Sequence, residues 1–157
     1  MWIKKHWSTV LLLIILLAGL GLLVYPTFSD WWNSFHQSRA IAGYSETVSK
    51  IDDRDYEKML KDAHAYNEKL LEKGDSRLIM SDEEREEYNS ILNVDGNGIM
   101  GYIDIPKINV SLPLYHGTDE AILQVAIGHI EGSSLPVGGE GSHCVVSGHR
   151  EIGRAHV

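Results

Sequence analysis

Three patterns of apolar residues follow one another along the chain. Residues 10–25 are an uncharged run of mostly leucine and isoleucine. From Asp55 to Lys73, apolar residues recur three and four positions apart, a spacing typical of an amphipathic helix. From Ile99 to Leu114 they alternate with other residues, as in half-buried strands. The chain is therefore predicted to place an apolar helix first, an amphipathic helix next and a β-rich domain last.

The first run is predicted to be a transmembrane anchor, residues 9–28. Spanning a bilayer takes about 20 mainly apolar residues, and flanking aromatic residues can extend the run into both interfaces. A cleaved signal peptide is the alternative, but no Ala-x-Ala-like cleavage site follows. Because Lys4 and Lys5 precede the run and acidic residues follow it, we expect residues 1–8 in the cytoplasm and the rest outside the cell membrane.

Residues 29–92 are expected to form an extracellular helical arm with a lid-like region. Gly74 is placed to end the amphipathic helix, since glycine suits the C-terminal cap of a helix. Ser81 and Glu84 have the spacing of a capping box, which predicts a second, short helix. Residues 78–80, between the two helices, are apolar, and we favour a buried linker over a gate on a groove.

Residues 93–150 are expected to begin a curling β-sheet. The predicted strands Ile99–Ile105 and Ile108–Leu114 are separated by a bend at Pro106. Their alternation indicates that one face of each strand is buried. A sheet of this kind can close into a barrel.

A short helix capped by Thr118 is predicted next, ending at Gly128, and a third strand at residues 143–148. In that strand's alternation, Cys144 faces away from position 149. We expect Cys144 to be a small buried side chain and not a nucleophile. As the only cysteine, it also excludes an internal disulfide.

The charge balance argues against one class of partner. The chain has a net charge of −8, and such a surface repels a phosphate backbone. Nucleic-acid binding is therefore not expected.

Four histidines lie in the β-rich half: His116, His129, His143 and His149. No two have the spacing typical of zinc ligands, and positions 143 and 149 of one straight strand would lie about 20 Å apart at about 3.3 Å per residue. No metal site is expected, and His116 and His129 are expected to be partly buried and bonded to backbone. His149 differs because it follows Gly148 at a strand end, where close backbone approach is possible and catalytic residues are often presented.

Several motifs at linked spacings resemble the first half of a class C sortase. These membrane-anchored transpeptidases polymerise pilins on Gram-positive cells. The resemblance covers residues 91–150 and rests on IMGYIDIPKI (99–108), LPLYHGT (112–118), GHIEGSSLP (128–136) and SGHR (147–150). It implies a mainly β fold class, in which a transmembrane helix and a helical arm precede the opening strands of an eight-stranded sortase β-barrel, cut short here.

The resemblance also implies the chemistry. A cysteine thiolate attacks an LPXTG-type sorting signal and forms a thioacyl-enzyme, which a lysine amine of the next pilin resolves. His149 is the implied catalytic residue, protonating the departing amine and deprotonating the incoming one. Arg150 matches the family's histidine–arginine pair but is not its catalytic arginine. The family's cysteine and catalytic arginine come later in sequence, so this chain alone is expected to be inactive, and no cofactor is implied.

Two features depart from the family. Class C enzymes commonly carry a lid with an Asp-Pro-aromatic motif, whereas residues 75–92 contain no proline. After the Gly-His-Arg motif, residues 151–157 do not match the family's usual Gly-Leu-Pro continuation. One back-translation of these seven residues resembles a sequencing adapter, so we expect them to be a non-native tail.

Two other functions remain open from the sequence. One is a housekeeping sortase that attaches surface proteins to the cell wall. The other is a non-enzymatic, membrane-tethered binding module, with a helix stripe that docks a partner and His116 or His129 taking up a metal.

Overall fold

The computed structural model of the chain describes residues 6–148. The chain divides into two compact units, Met1–His36 and Gln37–Val157. Helix α1, Trp7–Ser49, starts in the first unit and continues through Pro26. By length and composition it can cross a membrane, since an 18-residue window within it has a mean hydropathy of 2.6. A signal sequence near the N-terminus can share these properties.

In the first unit, residues 10–25 are uncharged and rich in leucine, and residues 28–35 are rich in aromatic side chains. The aromatic residues follow one another on successive turns, and the rings of Trp32 and His36 are 4.6 Å apart. Trp31 and Trp32 are exposed, as residues of an interfacial belt must be.

Two further helices form the arm in the second unit. Helix α2, Asp53–Lys73, is capped by Asp52 and ends at Gly74, as predicted. A 3₁₀ segment, Gly74–Leu78, leads to helix α3, Asp82–Ser90. The capping box predicted at its start is confirmed, because the Ser81 hydroxyl accepts from the Glu84 N–H and the Glu84 carboxylate accepts from the Ser81 N–H.

Four strands form one sheet in the order β1-β2-β3-β4. Strand β1 is Ile99–Ile105 and β2 is Val110–His116; they pair antiparallel around a 3₁₀ turn at Pro106–Ile108. Strand β3, Ile127–His129, pairs parallel with β2 after a four-residue helix α4, Glu120–Leu123. Strand β4, Val146–Gly148, pairs antiparallel with β3.

The register of β1 and β2 shifts between Ile99 and Gly101. A bulge of this kind leaves backbone groups without a ladder partner. The Tyr44 hydroxyl, from the end of α1, donates to the Met100 carbonyl oxygen at 3.0 Å. This bulge was not predicted from the residue pattern.

Two expectations about the elements are wrong, and one strand was not expected. The described chain is not mainly β, because α1 and α2 span 43 and 21 residues whereas the longest strands span seven. The helix predicted to begin at Thr118 starts after Asp119 and stops at Leu123, and Gly128 belongs to β3. A three-residue strand is too short to show alternation, so this one was missed.

The core lies where the arm packs on the sheet. Its buried members come from α2, α3, the segment between α3 and β1, β1, β2 and the loop after β3: Ala63, Tyr66, Leu70, Tyr88, Leu92, Met100, Leu114 and Leu135. The linker between the helices is not part of this core, since Leu78 and Ile79 are 70% and 80% exposed. The expectation of a buried linker is therefore wrong, although Met80 packs against the core.

Candidate active site

Strand β4 leads directly to the predicted catalytic residue. Its three residues pair in a fixed register with β3: Gly148 with Ile127, Ser147 with Gly128 and Val146 with His129. His149 and Arg150 lie outside the described residues, as do residues 151–157. The site is therefore built from what positions the end of β4.

Close backbone approach occurs at Gly128 and not at Gly148. A Cβ at Gly128 would lie 2.2 Å from the Gly117 carbonyl oxygen, whereas one at Gly148 would meet only the Ile127 side chain, at 3.7 Å. Strand β3 can thus pack on the end of β2 only with a glycine here. The close approach that the sequence suggested beside His149 belongs to the neighbouring strand.

His129 of β3, which pairs with Val146 of β4, is fully buried, and both of its ring nitrogens are bonded. The Tyr88 hydroxyl donates to Nδ1 at 2.9 Å, and Nε2 donates to the Ser134 carbonyl oxygen at 2.9 Å. The Tyr88 oxygen in turn accepts from the Gly117 N–H at 3.0 Å. Each donor in this chain has an acceptor, so the neutral ring with its proton on Nε2 fits the site.

Burial sets the titration of this pair. Desolvation lowers the pKa of His129, although its bond to Ser134 acts in the opposite direction. Desolvation likewise raises the pKa of Tyr88 far above its usual value. Both shifts favour the neutral forms, which suit a structural role better than proton exchange with a substrate.

His116 has a different set of partners. Its Nδ1 lies 2.9 Å from the Gly98 carbonyl oxygen, and its Nε2 lies 2.8 Å from the Ile91 carbonyl oxygen. The ring also packs edge-on against Tyr88. The expectation that His116 and His129 are bonded to backbone is confirmed, and both are more deeply buried than the partial burial that was expected.

These bonds weigh against metal binding by His116 or His129. A metal would have to displace a protein partner from a ring nitrogen of either histidine. Among residues 6–148, no three His, Cys, Asp or Glu side chains stand close enough to hold one ion.

Cys144 is exposed, so the expectation of a buried side chain is wrong. It precedes β4, where the strand's alternation does not yet apply. Partial desolvation raises the pKa of its thiol. A nucleophilic cysteine needs the opposite shift, so the expectation that Cys144 is not the nucleophile agrees with its surroundings.

Two serines that the sequence did not single out bind the segment that leads into β4. The Ser134 N–H donates to the His143 carbonyl oxygen at 3.0 Å, and the His143 N–H donates to the Ser134 hydroxyl at 3.1 Å. The Val145 N–H donates to the Ser133 hydroxyl, also at 3.1 Å. Polar residues in a Gly- and Pro-containing loop read as ordinary turn residues, so only the fold reveals these contacts.

Asn67 is the second kind of residue that sequence reasoning missed. From α2, its side-chain oxygen accepts from the Leu135 N–H at 2.7 Å, and its amide nitrogen donates to the Leu135 carbonyl oxygen at 3.3 Å. The Asn67 side chain thus satisfies both backbone groups of the buried Leu135, as a neighbouring strand would. Its position on the apolar face of a predicted helix was the only available signal.

A cleft of about 270 Å³ lies between α2 and α3. Its charged lining comprises Glu72 and two ion pairs, Lys69 with Glu87 and Lys73 with Glu84. Four of these five charged side chains therefore already have a partner within the protein.

Comparisons with known proteins point to one family for both the sequence and the structure. The sortase domain family matches residues 103–157. The structure is similar to sortase C1 from Streptococcus agalactiae, with 49% identity and a TM-score of 0.67, covering 73% of this chain and 59% of that one. It is also similar to Clostridium perfringens sortase C in an intermolecular complex with the C-terminal cell wall sorting signal motif, with 35% identity and a TM-score of 0.57, covering 73% and 54%.

Among curated proteins, Sortase D of Bacillus subtilis (strain 168) is 43% identical over 51 residues, which is 32% of this chain and 25% of that protein. The chain thus spans less than two thirds of the length of each of these relatives. The match to the sortase domain and the similarity to two solved sortase C structures confirm the resemblance drawn from the motifs. The chain therefore contains part of a sortase domain and resembles class C sortases in sequence and structure.

Proposed function

We propose that the chain is the N-terminal part of a membrane-anchored sortase that cleaves an LPXTG-type sorting signal and joins it to a lysine amine of a pilin subunit. A thiolate supplied by sequence beyond these 157 residues forms the thioacyl-enzyme. His149 donates a proton to the departing amine and accepts one from the incoming amine. Helix α1 is the anchor, with the N-terminus in the cytoplasm.

One observation carries the proposal. Strand β4 is held in register against β3 and ends one residue before His149, within the segment matched by the sortase domain. The complex of Clostridium perfringens sortase C with a cell wall sorting signal motif supports the substrate class. The class C similarity supports a pilin lysine as the acceptor.

The test uses the protein encoded by the complete reading frame. We expect it to cleave a fluorescent LPXTG-type peptide and to transfer the fragment to a lysine side chain. Replacing His149 by Ala should lower kcat/KM by about 10²- to 10⁴-fold, the range for loss of general acid–base catalysis. His143→Ala is the matched control, since this side chain is exposed, and it should stay close to wild type.

Three outcomes separate the candidates. Transfer to lysine supports pilin polymerisation, whereas transfer only to a cell-wall cross-bridge amine supports a housekeeping sortase. Absence of cleavage by the wild-type protein would sink both and leave the tethered binding module.

A further inference from the structure

The loop after β3 hydrogen-bonds to residues 143–145, which lie directly ahead of β4. Ahead of β4, the Ile130 N–H donates to the Val145 carbonyl oxygen at 2.9 Å. After Ile130 the chain turns, and side-chain hydroxyls of this turn accept further hydrogen bonds from the segment ahead of β4. Ser133 accepts from the Val145 N–H, and Ser134 accepts from the His143 N–H, each at 3.1 Å. We call Ser133 and Ser134 the serine clamp.

The clamp is itself held from the core. The Ser134 side chain is 6% exposed, and its carbonyl oxygen accepts from the fully buried His129 ring at 2.9 Å. The Ser133 hydroxyl lies 3.1 Å from the same ring nitrogen and donates to the Ile130 carbonyl oxygen at 2.7 Å. Contacts to His129 and Ile130 therefore hold both acceptors in place, in addition to their bonds to His143 and Val145.

Strand β4 needs such a device because it is short. Three residue pairs specify its register with β3, and a slip of one residue moves every side chain to the opposite face. Ser147 and residue 149 are two positions apart, so they share a face in strand alternation. A one-residue slip would turn Ser147, and with it position 149, to the opposite face of the sheet.

We propose that Ser133 and Ser134 are positioning residues that set the register of β4 and thereby the face on which His149 is presented to the substrate. The proposal rests on the catalytic role proposed for His149, and the serines themselves touch no reacting atom. They act by offering hydroxyl acceptors to the His143 and Val145 N–H groups.

The first measurement is amide hydrogen exchange by NMR on the whole chain in detergent micelles. Ser133→Ala should speed exchange at Val145, and Ser134→Ala at His143, by about tenfold each, as expected for loss of one hydrogen bond. Ser133→Thr keeps a hydroxyl and should restore protection. Ser142→Ala is the matched control, because its hydroxyl donates only to the Gly139 carbonyl oxygen of the same loop.

The second measurement is steady-state kinetics on the product of the complete reading frame. The double variant Ser133→Ala, Ser134→Ala should lower kcat by about 10²-fold, the cost of misplacing a catalytic group by about 1 Å. KM for the sorting-signal peptide should stay within about twofold, since a positioning fault affects the transition state more than ground-state binding. Ser133→Thr should retain wild-type kcat, and so should Ser142→Ala.

Several results would overturn the clamp. These are unchanged exchange at His143 and Val145, equal loss of protection in β1 and β2, or an unchanged kcat in the double variant. Equal loss in β1 and β2 would mean general unfolding and no effect on register. If the wild-type protein cleaves no peptide, the function proposed for His149 fails by itself, and the exchange result alone then supports or refutes the clamp.

Discussion

The two sides of the second unit differ in how they treat polar and apolar groups. On one side, which we call the arm junction, Asn67, Tyr88, His129, Ser134 and Leu135 are buried and hydrogen-bonded to one another or to nearby backbone. Elsewhere, at a set of positions in β1, the 3₁₀ turn after it and β4 that we call the open side, Tyr102, Ile105, Ile108 and Val146 are 38% to 64% exposed. Polar groups are therefore sequestered on the first side, while apolar groups remain in contact with solvent on the second.

The difference shows that the helical arm is part of the folded domain and not a spacer. Buried polar groups cost free energy unless every bond is made, so the arm junction is specified in detail. One group departs from this rule: the buried Tyr66 hydroxyl has no partner among the described residues. Its desolvation raises the pKa of Tyr66 to about 12, which keeps the hydroxyl neutral.

The largest effect is expected from Tyr88→Ala. The substitution removes a fully buried ring and leaves the Gly117 N–H unpaired, and we expect the free energy of unfolding to fall by about 3–5 kcal/mol. Tyr102→Ala on the open side, where the ring is 48% exposed, should cost no more than about 1 kcal/mol. Pulse proteolysis of the whole chain in urea and mild detergent measures both, and equal losses would erase the distinction between the two sides.

A smaller loss is expected from Asn67→Ala. Without the amide, the buried N–H and carbonyl groups of Leu135 have no partner, which should cost about 2–3 kcal/mol. Asn89→Ala, on an exposed position of α3, is the control and should change stability by less than about 0.5 kcal/mol. The same urea titration measures both variants. If Asn67→Ala leaves the free energy of unfolding unchanged, the loop around Leu135 is stable without the Asn67 bonds.

The pH dependence of stability follows from His129. Its pKa is lowered from the usual 6.5, first by desolvation and then by the neighbouring His116, while Ser134 and Glu131 act in the opposite direction. The unfolded chain therefore binds this proton more tightly than the folded chain. The free energy of unfolding should fall as pH drops through about 6.5 and remain high above it.

The test compares how steeply the free energy of unfolding changes with pH in wild type and in two variants. His129→Gln should be less stable than wild type at pH 7 but should show a flatter fall in stability between pH 7 and pH 5. His143→Gln, at an exposed position, should keep the wild-type slope. A wild-type slope in His129→Gln would show that this histidine does not report on the arm junction.

The smallest effect is expected at the surface of the arm junction. Arg85 of α3 contacts Glu131 of the loop after β3 at 2.6 Å, but the two side chains are 49% and 29% exposed. A double-mutant cycle with Arg85→Ala and Glu131→Gln should give a coupling energy below about 1 kcal/mol. A larger coupling would mean that charge, more than the buried network, holds α3 to the sheet.

Local sequence chemistry predicted the elements that depend on near neighbours. The end of α2 at Gly74, the capping box at Ser81 and the strand Ile99–Ile105 are all confirmed. The bonds behind these features join residues close together in the chain, so spacing alone reveals them. Leu78 and Ile79 show the limit of this reasoning, because apolar character did not place them inside.

By itself, the sequence determined the apolar helix, the capped arm helices, the first two strands and, through linked motifs, the resemblance to class C sortases. Only the tertiary structure decided that β3 exists, that Gly128 must lack a side chain and that Ser133 and Ser134 hold the segment ahead of β4. The physical reason is distance along the chain. A helix cap or an amphipathic stripe depends on residues a few positions apart. A buried hydroxyl or amide, in contrast, becomes an acceptor only when folding brings a distant N–H to it.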